Sequence, residues 1–157
     1  MIEIEVNRTN LEKFIENISQ SDKEELEYTF KDKYGEKFIE ICLKEKNIWF
    51  LADKNSTPLA IGGIQYFGKD NLIFGKIWLL STKNFNKNAI AVLKYVKNKI
   101  AFFKTTADVL FNHIYKTNFR FLKLLKKAGF KTKDVNACTK LFYYSKEENF
   151  DTRHTTG

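Results

Sequence analysis

The sequence predicts an α/β (α+β) domain: a mixed, mostly antiparallel sheet flanked by helices, with elements in the order β-α-α-β-β-β-α-β-α-β. Three features point there. Apolar residues recur with period two in some stretches and at helical spacing in others, so both element types are present. Residues 47–81 hold three apolar runs separated by turn chemistry, the pattern of an antiparallel meander. The strand–helix–strand unit across 72–115 needs a parallel pair joined by a right-handed crossover, which makes the sheet mixed.

Ile2-Glu3-Ile4-Glu5-Val6 alternates and forms the first strand. Thr9 or Asn10 can cap a helix whose apolar face is Leu11, Phe14, Ile15 and Ile18. Ser21-Asp22-Lys23-Glu24 has capping-box spacing and opens a second helix carrying Leu26 and Phe30. Phe38, Ile39, Cys42 and Leu43 make a third helix, or a continuation of the second broken near Gly35. Ile48-Trp49-Phe50-Leu51 is a strand, 53–58 a turn and 59–67 the next strand. Gly68-Lys69-Asp70-Asn71 turns the chain into a strand over 72–81. After the loop 82–88, Ala89, Val92, Leu93, Val96, Ile100 and Phe103 share one face of a long helix. A strand over 107–115 follows, then a helix over 118–128 that Gly129 stops as its C′ residue. Residues 135–144 supply the final strand material. The domain spans 1–145, and 146–157 reads as a polar C-terminal tail.

The 157 residues fit one domain, and 43% hydrophobic with 15% aromatic residues excludes a disordered chain. No stretch approaches the roughly 20 apolar residues of a membrane helix. The alternating start is not a signal peptide, so the expected setting is the cytosol or the inside of a particle assembled there. Two cysteines without a CxxC pair and two histidines give no disulfide or metal framework. Cys42, on an apolar helix face, is expected in the core.

Charge is unevenly placed. Residues 1–82 carry 11 basic and 14 acidic side chains, whereas 83–140 carry 14 basic and only Asp108 and Asp134 as acids. A concentrated positive field implies an anionic partner: nucleic acid, a phosphorylated cofactor or an acidic protein face. A solvated lysine face in a lysine-rich chain is the plain alternative. Of 27 basic residues only Arg8, Arg120 and Arg153 are arginines. Base readout favours arginine, and no nucleic-acid motif is present, so nucleic acid is the weaker choice.

The junction after the strand 72–81 joins a strand end, a loop and a helix N-terminus. Such a terminus presents unpaired N–H groups and a partial positive charge that bind phosphate, and Lys83 and Lys87 add full charges. Every strand-to-helix connection has such a junction. A second signal is Asn118, followed eleven residues later by Gly129-Phe130. Alone, that pair also reads as an N-cap and an ordinary helix stop.

The element order, together with Asn118-Phe119-Arg120-Phe121-Leu122-Lys123-Leu124-Leu125-Lys126-Lys127-Ala128-Gly129-Phe130, resembles the GNAT superfamily of N-acyltransferases over residues 1 to about 145. In that family an Asn, an aliphatic face and a K-x-G-F ending flank the pantetheine arm of coenzyme A. Pro58-Leu59-Ala60-Ile61-Gly62-Gly63 and Arg120-Phe121-Leu122-Lys123 are similar to strings in small GNAT-like proteins of T7-like bacteriophages, some of them virion components.

The resemblance implies acetyl-CoA as cofactor and transfer of an acyl group to an amine on a small molecule or protein. It places cofactor binding at Leu79, Leu80, Ser81, Lys83, Asn86, Lys87, Asn88, Asn118, Phe121 and Leu125. The strand ending at Leu80 and Ser81 would pair with the pantetheine arm and polarise the thioester carbonyl. His113, Glu24 and Glu27 are the candidates for the base, and Tyr115 for the acid. The acids Asp22, Glu24, Glu25 and Glu27 either attract a cationic amine or form a solvated helix face.

Two departures stand out. The family's glycine-rich loop is replaced by Ser81-Thr82-Lys83-Asn84-Phe85-Asn86-Lys87-Asn88, where the asparagines are the residues most tolerant of unusual φ. The family's frequent tyrosine acid falls at Leu125, which donates no proton. They motivate an alternative: a catalytically degenerate phage protein of this fold, acting as a virion component or host-directed binding protein.

Overall fold

The computed structural model describes residues 1–147; the tail expected from 146 lies outside the described residues from 148 onward. The elements are β1 (Ile2–Glu3), α1 (Arg8–Glu16), α2 (Gln20–Phe30), α3 (Tyr34–Lys44), β2 (Ile48–Ala52), β3 (Pro58–Lys69), β4 (Leu72–Ser81), α4 (Ala89–Thr106), β5 (Val109–Tyr115), α5 (Phe119–Lys127), β6 (Lys131–Asp134) and β7 (Thr139–Ser145). A 3-10 turn, Phe85–Asn88, leads into α4. The seven strands lie in the order β1-β2-β3-β4-β5-β7-β6. β4 and β5 run parallel, and β1–β2, β2–β3, β5–β7 and β6–β7 are antiparallel.

The described residues fall into two compact units: 1–64 with 78–96, and 65–77 with the chain from 97 onward. In the first unit, Leu11 and Phe14 of α1, Leu26 of α2, and Phe38, Ile39 and Cys42 of α3 share a core with Phe50, Ile61 and Leu80 of the sheet. Phe14 is wholly buried, 6.1 Å from the ring of Phe38 and edge-on to Phe50 at 5.9 Å. Each such ring contributes about 1.5–3 kcal/mol by leaving water. Cys42 belongs to this core, as expected, and burial pushes its thiol up to about 12. On β3 a Cβ at Gly62 would stand 2.3 Å from the Trp49 ring, and one at Gly63 would stand 2.6 Å from the Asn47 carbonyl oxygen. Only glycine lets the backbone pass so close to two tryptophans.

In the second unit, β5 pairs along its length with β7, from Val109↔Ser145 to Tyr115↔Thr139. Phe121, Leu122 and Leu125 form the buried face of α5, and Phe142 meets Phe121 and Phe130 edge-on at 6.0 and 5.7 Å. The end of α5 is a Schellman motif: Phe130 N–H donates to Leu125 O, Gly129 N–H donates to Lys126 O, and Gly129 takes φ +89°.

Several boundaries differ from the sequence reading. Asn7, not Thr9 or Asn10, caps α1: its backbone is extended and its Oδ1 accepts from Asn10 N–H at 2.8 Å. α2 starts at Gln20, and its N-cap is Ser19, two residues before the Ser21 of the box. α3 is a separate helix, divided from α2 by Lys31 and Lys33 at φ 62° and 57°. The final strand material is a hairpin, β6 and β7, with Val135 outside both strands. β6 reads Lys-Thr-Lys-Asp, a solvated edge with no apolar alternation to betray it.

Candidate functional site

In the first unit, the end of β4 is tied to the segment that joins α1 to α2. Ser81 N–H donates to Asp22 Oδ2 at 2.7 Å, and Ser81 O accepts from Ser19 N–H at 2.9 Å. Lys83 N–H donates to Asn17 O at 2.8 Å, and Ile18 bridges Thr82. Thr82 turns the other way: its N–H donates to Leu59 O, and its hydroxyl donates to Pro58 O at 2.7 Å. Strand alternation therefore points the N–H and C=O of Leu79 to the same side as those of Ser81. Leu79 and Ser81 are half-buried and Leu80 is buried.

The loop beyond needs no glycine. Residues with positive φ among those described are Lys31, Lys33, Ser56, Asp70, Asn71 and Gly129, and none lies in 82–88. The asparagines are thus not required for unusual backbone angles. Lys83, Asn86 and Lys87 are exposed, and Asn88 is half-buried beside the first residue of α4. The first turn of α4 carries no acid. The helix terminus and two lysines form a positive end that suits an elongated phosphorylated group, and Leu79 offers a strand edge to an amide-bearing arm. Ser81 does not, because both of its backbone groups are engaged.

In the second unit, Asn118 is the N-cap of α5, its Oδ1 accepting from Phe121 N–H at 3.4 Å. Phe121 is buried and Leu125 wholly so; any part they take in a site is to seat α5. His113 is exposed on β5 and Tyr115 is half-buried at the strand's end. Within this unit Asn112 Nδ2 donates to Ile77 O at 2.8 Å, one residue beyond the paired stretch Phe74↔Val109 to Lys76↔Phe111. A cavity of about 380 Å³ is lined by Lys116, Phe119, Leu122, Lys123, Lys126, Lys127 and Lys140. Asp134 pairs with Lys140 at 3.1 Å and Lys116 at 3.5 Å, which hold its carboxyl below the usual range.

The acids of α2 divide sharply. Glu24 is exposed and bonded to Gln20, and Glu27 is exposed opposite Lys23 at 3.9 Å. Asp22 is only 4% exposed, and Glu25 is half-buried. Burial raises the Asp22 carboxyl, opposed by the hydrogen bonds from Ser81 and Ser19. Burial, with a smaller push from the Asp22 charge, raises Glu25 to about 7. Sequence reading lists both as acids; burial, which separates them from Glu24 and Glu27, has no linear signal beyond their i, i+3 spacing.

Among the described residues no group of His, Cys, Asp and Glu could hold a metal ion, and no helix is long and apolar enough to cross a membrane.

No family model and no curated protein matches the chain. Solved structures do. The chain is similar to a protein of Pyrococcus horikoshii (TM-score 0.67, 18% identity, 92% of this chain and 95% of that one). It is similar to a GNAT-family acetyltransferase of Streptococcus agalactiae (TM-score 0.63, 11% identity, 94% and 96%). It is also similar to the PaiA N-acetyltransferase of Thermoplasma acidophilum, solved with coenzyme A (TM-score 0.59, 14% identity, 92% and 96%). The chain has the GNAT acetyltransferase fold.

Proposed function

We propose that this protein is an acetyl-CoA-dependent N-acetyltransferase acting on an amine of a small molecule or protein. The observation that carries the reading is the end of β4. Its strand edge at Leu79 runs through Lys83 and Lys87 into an α4 terminus free of acids, on a fold shared with N-acetyltransferases. Bound acetyl-CoA supplies an activated thioester for the amine to attack. On this proposal Leu79 N–H bonds the acyl carbonyl, and the α4 terminus with Lys83, Asn86, Lys87 and Asn88 holds the phosphates. In this reading Asn118, Phe121 and Leu125 fix the start and seat of α5. A bacteriophage origin, in a host cytoplasm or virion, rests on the likeness of 58–63 and 120–123 to phage strings.

Thermal-shift titration with acetyl-CoA, coenzyme A and ATP tests this. The melting temperature should rise with acetyl-CoA and coenzyme A but not ATP. A ligand at one hundred times its Kd stabilises by about 2.7 kcal/mol, or very roughly 5–10 °C for a domain of this size. No shift at millimolar acetyl-CoA would overturn it. A second reading, a non-catalytic virion component or host-directed binding protein, is favoured by one observation: Ser19 and Asp22 occupy the backbone groups of Ser81. Recovery of the protein in purified particles without acetyl-CoA binding would select it.

A further inference from the structure

Asp22 Oδ2 accepts three hydrogen bonds: from Ser81 N–H at 2.7 Å, Ser81 Oγ at 3.0 Å and Ser19 Oγ at 2.9 Å. All three donors converge on this one carboxyl oxygen. Together these bonds fasten the first turn of α2 to the end of β4. Glu25 follows at i+3, so it lies on the same side of α2 one turn further on. Leu26 beside it is buried in the core of the first unit. Glu25 is half-buried, and among the described residues no hydrogen bond or cation offsets its burial. Lys23 of the same helix faces Glu27, and Lys37 of α3, which packs on α2, donates to Phe30 O. Among the described residues, burial and then the Asp22 charge raise the Glu25 carboxyl. A carboxylate held partly out of water next to another carboxylate is unfavourable. Glu25 stands one helical turn from Asp22, the residue that ties α2 to the end of β4.

We propose that Glu25 is the general base that deprotonates the acceptor amine, and that Asp22 is the residue that positions it. This rests on the acyltransferase reading above. An aliphatic amine arrives as ammonium at neutral pH. One proton passes from its nitrogen to a Glu25 carboxylate oxygen, leaving a neutral amine with a free electron pair; Glu25 then releases the proton to solvent. A base with a pKa near the working pH is the efficient one, and Glu25, raised to about 7, meets that condition. Glu24 and Glu27 are solvated.

The test uses the full chain, with Glu25→Gln and Asp22→Asn. First, the side-chain carboxyl of Glu25 is titrated by NMR without ligand; it should titrate near neutrality, and titration in the ordinary carboxylate range overturns the proposal. Second, the thermal shift with coenzyme A should be the same in wild type and Glu25→Gln. Third, transfer from acetyl-CoA is followed over a panel of primary amines: an alkylamine, a polyamine, an aminoglycoside and a lysine peptide. Glu25→Gln should lower kcat/KM by about 10²–10⁴-fold and abolish its acidic limb. Asp22→Asn should lower kcat with little change in KM and displace that limb. Should Asp22→Asn fail to fold, Ser81→Ala, which removes one of the three donors, replaces it. Coenzyme A binding with wild-type rates in Glu25→Gln overturns this inference alone, whereas coenzyme A binding with no transfer to any amine overturns the acyltransferase reading with it. No coenzyme A binding by wild type overturns the acyltransferase reading and this inference together.

Discussion

In the first unit the carboxylate of Asp22 is buried under three donors and Glu25 stands half-buried beside it. In the second unit Lys123, Lys126 and Lys127 of α5 are exposed at the edge of a cavity, over Phe119 and Leu122. The same α-helical scaffold thus carries two kinds of charge. A buried charge interacts through a poorly screening medium, so it alters its neighbours' protonation and must be matched group by group. Exposed lysines act through a field that salt screens within about 10 Å at 0.1 M ionic strength, and each contributes little alone. Local chemistry belongs to the first kind and attraction of anions to the second.

That contrast can be broken in order of effect. The largest losses should come from the cores of both units. Phe14→Ala and Phe142→Ala each remove a ring no more than 1% exposed, so each should cost about 3–5 kcal/mol in urea unfolding. A loss below about 1 kcal/mol for either would mean that its unit is not packed as described. Gly129→Ala forces a side chain to φ +89° and should cost about 1–2 kcal/mol. Lys123→Gln should change stability by less than about 0.5 kcal/mol, since the side chain is exposed.

Glu25 sharpens the comparison through pH. Its carboxyl is raised from 4.5 to about 7 in the folded chain, so the folded state holds that proton more tightly than the unfolded state. Its contribution to stability is fully present below about 4.5 and is lost as the pH rises through about 7. Glu25→Gln should therefore melt like wild type at the acidic end of that window and higher than wild type above it. Equal melting temperatures at both ends would place Glu25 in water.

Much of this was legible in linear form. The strand over 72–81 begins and ends where its apolar run does, and the face of α4 that buries Val92, Val96, Ile100 and Phe103 follows from the 3.6-residue period. Gly129 announced the end of α5, because few other residues take positive φ cheaply. The misplaced caps have a shared cause. Asn7, Thr9 and Asn10 are all good N-caps, as are Ser19 and Ser21, and the choice among them depends on where the preceding chain leaves the sheet. At Ser19 that choice is tertiary, since Ser81 holds both Ser19 and Asp22. β6 was missed because a solvated edge has no face to bury.

By itself the sequence determined the element types, the meander, the crossover and the basic stretch, since each depends on residues near one another in the chain. It also placed the junction after β4, because a strand end followed by a helix start is a local pattern. Only the tertiary structure decided that Asp22 is buried while Glu24 and Glu27 are solvated, that Ser81 is bonded to a segment about sixty residues earlier, and that Glu25 is half-buried with no cation among the described residues to offset it. Burial and long-range hydrogen bonding are properties of position in space, and four acids within six residues of one helix are alike until the fold gives each its surroundings.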